Sequence, residues 1–90
     1  MSDDEGEEGA RLIEEKIRIE FELAGRPVEQ IGWNLERGGV LSNYSSHVIH
    51  VTVGGRVLRL NDVPDERVQD YPGGSGNEIL DAHIKKLARK

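Results

Sequence analysis

The stretch that decides the fold is His47–Leu60, which reads HVIHVTVGGRVLRL. Two runs rich in β-branched residues flank Gly54 and Gly55, and this pattern predicts two antiparallel strands joined by a two-residue turn. Such a turn needs a positive φ at both central residues, which glycine adopts without strain. The turn fixes three cross-strand pairs: Val53 with Arg56, Val51 with Leu58, and Ile49 with Leu60.

This register sorts the side chains of the hairpin onto an apolar and a polar face. The apolar face holds Ile49, Val51, Leu58 and Leu60. Because the register follows from the turn alone, the gathering of these side chains on one face supports it independently. The opposite face is mostly polar and holds Val48, His50, Thr52, Val57, Arg59 and Asn61.

Upstream, the stretch Lys16–Leu23 reads KIRIEFEL and alternates apolar with charged residues. A period of two is typical of a strand with one buried and one exposed face. We therefore predict a strand here. Its expected core face holds Ile17, Ile19, Phe21 and Leu23.

The stretch Pro27–Val40 fits two structures. Val28, Ile31 and Leu35 suit a helix that begins at Pro27 and ends before Gly38. A strand also fits, because apolar residues alternate at Ile31, Trp33 and Leu35. We favour the strand, since a short loop at 25–27 would place these apolar residues opposite the apolar residues of the preceding strand. If the stretch is a strand, Trp33 faces the protein core. If it is a helix, Trp33 lies off the stripe formed by Ile31 and Leu35 and could anchor a partner. The expected pairs are Phe21 with Ile31, Ile19 with Trp33, and Ile17 with Leu35.

The chain ends in a predicted helix. Ser75 and Glu78 have the spacing of a capping box, with Ser75 as N-cap. Leu80, Ile84 and Leu87 follow at helical spacing. Residues 38–46 and 61–76 are expected to be loops, the second with a short helical turn after Pro64. The predicted fold class is α+β: an antiparallel sheet of three to four strands with the C-terminal helix packed on one face.

The acidic residues of the chain are concentrated at its N-terminal end. The chain has 17 acidic and 12 basic residues, and the first eight positions hold five acidic residues and no basic one. The remainder is formally neutral. Residues 1–10 are too polar to bury, so we expect a disordered acidic tail ahead of a single small α+β domain at 11–90. The tail either keeps the chain soluble or docks on a basic partner. It also has the charge to attract the basic C-terminal residues, within a chain or between chains.

The sequence offers few chemical sites. Without cysteine it can form no disulfide and no thiolate metal site. His47 and His50 are three apart in a predicted strand and so point to opposite faces. We predict no catalytic residues, no cofactor, no metal site and no membrane partner, and we expect a cytoplasmic protein. One candidate anion site lies before the C-terminal helix, although it lacks the lysine of a phosphate-binding loop. It comprises Gly74, Ser75, Gly76 and Asn77.

By elimination, we predict a non-catalytic protein-interaction module, a small adaptor, inhibitor or regulator that forms a homodimer or binds a partner at an open sheet edge. The alternative is a single-stranded nucleic-acid-binding regulator that uses the polar face of the sheet. Arginines on that face and aromatic side chains would carry either function. The candidate interaction residues are Arg18, Arg56, Arg59, Trp33, Tyr44 and Tyr71.

Overall fold

The computed structural model describes residues 2–35, 45–74 and 76–90, and side chains from Glu7 onward. Its three strands form one antiparallel sheet in the order β1-β2-β3, which confirms the α+β class. The elements are helix α1 (Ser2–Leu23), strands β1 (Gln30–Trp33), β2 (Ser46–Val53) and β3 (Arg56–Pro64), helix α2 (Asp65–Asp70), a 3₁₀ turn (Tyr71–Gly73) and helix α3 (Asn77–Ala88).

The β2–β3 hairpin matches the prediction. Gly54 and Gly55 have φ angles of 57° and 78°, and all three predicted cross-strand pairs form. Beyond Leu60 the register shifts, so that His47 lies opposite Val63. Asp62, with a φ of 57°, falls within this irregularity. The bulge keeps both His47 and Val63 in the buried core.

β1 confirms the strand at Ile31–Trp33, but its predicted neighbour is wrong. Trp33 lies opposite Ile49 and Ile31 opposite Val51, so β1 pairs with β2. The strand ends at Trp33, before Leu35. Trp33 is 8% exposed, as the strand interpretation predicted. The loop expected at 38–46 lies mostly outside the described residues.

The strand predicted at Lys16–Leu23 is wrong, because this stretch is the second half of helix α1. The buried residues are Ile13, Ile17 and Phe21, which recur every four positions. Ile19 and Leu23, expected in the core, are 52% and 79% exposed. The helical repeat begins upstream of the eight alternating residues, so the short window concealed it.

The boundary expected at residue 10 falls inside α1, which begins at Ser2. Gly9 and Ala10, assigned to the disordered tail, are both buried. A Cβ at Gly9 would overlap the backbone oxygen of Val68 in α2. These two residues therefore pack against the domain, because the absence of a side chain at Gly9 lets α1 approach α2 closely.

Helix α3 buries Leu80, Ile84 and Leu87, as predicted, in the same core cluster as the sheet residues Ile49 and Val51. Its start differs from the prediction: the N-cap is Gly76, with a φ of 72° and no capping side chain, and not Ser75. Ser75 itself lies outside the described residues, and with it the proposed capping box. The predicted helical turn after Pro64 is α2.

Helices α1 and α3 run in the same direction with their C-terminal ends together. The Arg26 guanidinium, just past α1, donates to the carbonyl oxygen of Ala88 at 2.9 Å. Further back in α1, Glu20 lies near Lys85, and Lys16 lies near Asp81. The C-terminal end of α3 is consequently far from the first turns of α1.

Candidate interaction surface

The three candidate arginines are exposed but do not share a surface. Arg18 lies on α1, because its segment is a helix and not a strand. Arg56 and Arg59 lie in β3, three positions apart and therefore on opposite faces of the sheet. The continuous arginine surface that the nucleic-acid interpretation required is not formed.

The candidate aromatic residues are buried where the structure describes them. Trp33 and Tyr71 are each 8% exposed. Trp33 Nε1 donates to Glu14 Oε2 at 2.9 Å, and the Tyr71 hydroxyl donates to Asp81 Oδ1 at 2.6 Å. Burial, and then the bond to Asp81, raise the pKa of the Tyr71 phenol. Neither ring offers a face for a base to stack on, and Tyr44 lies outside the described residues.

The loop predicted to be an anion site is held by hydrogen bonds to neighbouring parts of the chain. Gly74 and Gly76 have φ angles of 81° and 72°, in the left-handed region that favours glycine. Arg67 Nη1 donates to the carbonyl oxygen of Gly76 at 3.2 Å, and Asn77 Nδ2 donates to that of Tyr71 at 3.0 Å. With Ser75 outside the described residues, anion binding here stays a prediction.

A cleft of about 180 Å³ lies between β3 and α3. We call it the basic cleft. Its floor includes the buried Leu60 and Leu87, and none of its described lining residues is acidic. His83, Lys86 and Lys90 project from one side of α3, since they are spaced three and four residues apart. Arg59 and Asn61 of β3 also line the cleft.

β3 is an edge strand among the described residues, since only β2 pairs with it. The two-residue turn makes Val53–Arg56 a hydrogen-bonded pair, and the pairing alternates along the strand. The peptide groups of Val57 and Arg59 therefore point away from β2. Val57 also exposes 57% of its surface. The basic cleft thus adjoins a strand edge of the kind that accepts an extended chain.

His47 is the centre of a buried polar network. Asn34 Oδ1 accepts from the Val48 amide at 2.9 Å, which turns Asn34 Nδ2 towards His47 Nδ1 at 2.8 Å. Nδ1 therefore accepts, and Nε2 donates to Asp65 Oδ1 at 2.7 Å. Asp65 Oδ2 in turn accepts from Gln69 Nε2 at 2.7 Å. The network joins the end of β1, the start of β2 and the first turn of α2.

Two further features of the described residues bear on function. They contain no cluster of three or more histidine or carboxylate side chains placed to hold a metal ion. In the same part of the chain, no helix has both the length and the apolar character needed to cross a bilayer.

Comparison with known proteins identifies no relative: no family model, curated protein or solved structure matches this chain.

Sequence reasoning named Arg59 but missed the residues that surround it. It recorded only that the C-terminal residues are basic, and it did not single out His83, Lys86 or Lys90. Their common spacing was a usable signal, because a helix places all three on one side. The position of β3 opposite that side was not readable, since it depends on how distant elements pack.

Proposed function

We propose that this protein is a non-catalytic interaction module that binds an extended acidic segment of a protein partner in the basic cleft. The observation that carries the proposal is the placement of Arg59, His83, Lys86 and Lys90 around one cleft beside an edge strand. The positive side chains of Lys86 and Lys90, beside a strand edge, complement a chain of carboxylates in charge and in shape.

The two halves of the cleft would contribute differently. The outward peptide groups of β3 can hydrogen-bond an added strand whatever its sequence. The cations of α3 would then select acidic side chains on that strand and speed its encounter. Leu60 and Leu87 beneath them limit access of water to the contact, which strengthens the charge pairing.

The His47 network supports the non-catalytic part of the proposal. A general base needs a ring nitrogen within reach of a substrate proton. Both ring nitrogens of His47 are engaged, by Asn34 and by Asp65, and the side chain is fully buried. We assign it to holding β1, β2 and α2 together. Cytoplasmic location stays a prediction from sequence.

Single-stranded nucleic acid is the alternative occupant, because phosphate groups also pair with lysine and arginine. Proteins that track a single strand usually add exposed aromatic side chains on which bases stack. Trp33 and Tyr71 are buried. Their burial favours the acidic protein segment.

The proposal is tested with a fluorescently labelled, extended acidic peptide added to the full chain. We expect the Lys86→Ala/Lys90→Ala variant to bind it about five- to tenfold more weakly, the loss of two partly exposed ion pairs. Lys85→Ala is the matched control, since Lys85 is exposed on the same helix but lines the separate groove against α1. Its affinity should equal that of the parent.

Two outcomes would reject the proposal. One is an equal loss of affinity in the control, which would mean that only the total charge matters. The other is displacement of the peptide by an oligonucleotide of matched charge at far lower concentration, which would favour nucleic acid as the natural ligand.

A further inference from the structure

The acidic residues of α1 and the basic cleft lie at different ends of the molecule. We call the part of α1 around Glu7 and Glu8 the acidic end, and both of these side chains are exposed. α2 packs here, with Gly9 against Val68, and adds the exposed Glu66 and Asp70. This surface is a concentrated source of negative charge.

The acidic end cannot reach the basic cleft of its own chain. α1 has 22 residues and, at about 1.5 Å per residue, spans roughly 33 Å. The C-terminal end of α3, with Lys86 and Lys90, lies beside the opposite end of α1, where Arg26 binds Ala88. A separation of that size exceeds the screening length of about 8 Å several times over.

We propose that the basic cleft binds the acidic end of α1 from a second copy of this chain. This inference rests on the charge pairing of the proposed function and names a second copy of the chain as the partner. The acidic end is helical, so its carboxylates meet the cations of α3 without adding a strand to β3. One molecule carries both complementary surfaces, but the length of α1 holds them apart. They can therefore contact each other only between two copies of the chain. Glu7 and Glu8 supply exposed carboxylates, and Lys86 and Lys90 supply the exposed cations opposite them.

The contact joins unlike surfaces, so it is heterologous. Each added copy brings a new acidic end and a new basic cleft, and the assembly either closes into a ring or grows as a chain. Its strength depends on charge. We expect the apparent dissociation constant for self-association to rise about tenfold or more between about 50 and about 300 mM salt.

Two variants of the full chain test the contact by light scattering at low salt. The acidic-end variant is Glu7→Lys/Glu8→Lys, and the cleft variant is Lys86→Glu/Lys90→Glu. Each alone should be monomeric, because each has lost one half of the contact. Their mixture should associate again, because the intact cleft of the first variant receives the intact acidic end of the second, and the two reversed sets of charges also complement one another.

Matched controls separate the contact from general charge effects. Lys85→Glu makes the same kind of change outside the cleft and should self-associate like the parent. Glu7→Gln/Glu8→Gln removes the negative charges without adding positive ones and should also weaken association. All of the substituted residues are exposed, and unchanged thermal unfolding would verify the fold of each variant.

The outcomes also separate this inference from the proposed function. A chain that binds the acidic peptide in its basic cleft but stays monomeric at low salt would overturn the inference and leave the function standing. If the parent neither binds the acidic peptide nor self-associates, the inference and the proposed function are both overturned. A mixture of the two variants that remains monomeric would also reject the contact.

Discussion

At the residue scale, His47 illustrates a role that depends on contacts distant in sequence. Its side chain is fully buried and is held by Asn34, 13 positions before it, and Asp65, 18 positions after it. Asn34 has a φ of 49°, a conformation that asparagine tolerates better than most residues. The sequence predicted no role for His47, because no local pattern links these three residues.

The network makes a prediction for Asp65. Asp65→Ala removes the acceptor of a buried N–H and should lower the free energy of unfolding by about 2 kcal/mol. Asp65→Asn keeps an acceptor oxygen and should cost less than about 1 kcal/mol. Urea unfolding measures both, and long-range NMR correlations on the ring should show the proton on Nε2. A proton on Nδ1, or equal costs for the two variants, would contradict the arrangement.

Tyr71 makes a prediction for alkaline pH. Burial and the Asp81 bond raise its phenol pKa, so the folded state holds this proton more tightly than the unfolded chain, whose tyrosines titrate near about 10. The resulting stabilisation is complete below that pH and is lost as the pH rises from about 10 through the folded pKa. Tyr71→Phe should cost about 1 kcal/mol at neutral pH through the lost hydrogen bond.

Urea unfolding of parent and variant across this pH range measures the effect. The difference between them should narrow above about pH 10, because only the parent loses the contribution of Tyr71 there. A difference that stays constant with pH would show that the phenol titrates alike in the folded and unfolded states.

At the element scale, α1 shows how a strong local pattern can mislead. Eight residues of strict alternation favoured a strand, yet the buried positions repeat every four residues from Ile13. Charged residues also pair at helical spacing: Lys16 with Glu20 at 2.7 Å, and Arg11 with Glu15 at 3.1 Å. A longer window, extended back to Ala10, would have contained both signals.

Gly9 tests whether the first half of α1 packs on the domain. In an isolated helix, Gly→Ala is stabilising by up to about 1 kcal/mol. At Gly9, however, the new Cβ would overlap the backbone of Val68, which cannot move without displacing α2. We therefore expect Gly9→Ala to destabilise the protein by about 2 kcal/mol or more.

Gly73→Ala is the matched control for this substitution. The added methyl group meets nothing within 4 Å and no positive φ opposes it, so thermal unfolding should change little. If Gly9→Ala raised the melting temperature instead, α1 would be free of α2 in solution. That outcome would favour the interpretation of residues 1–10 as a separate tail.

At the scale of the whole molecule, the arrangement of charge is more informative than its total. The excess of acidic residues lies in the first eight positions, and α1 carries the exposed Glu7 and Glu8 to the end of the molecule where α2 lies. The cations of α3 gather at the other end, beside β3. A sequence-based count records the imbalance, but only the parallel course of α1 and α3 converts it into two separate surfaces.

The sequence by itself determined what depends on neighbours along the chain. The Gly54–Gly55 turn fixed the hairpin register, and the apolar spacing in residues 80–87 fixed the buried side of α3. Tertiary structure decided what depends on distant partners: the helical state of residues 16–23, the pairing of β1 with β2, the His47 network and the basic cleft. The physical reason is that a two-residue turn constrains its own backbone directly. An amphipathic segment, by contrast, adopts whichever structure buries its apolar side against elements that are distant in the sequence.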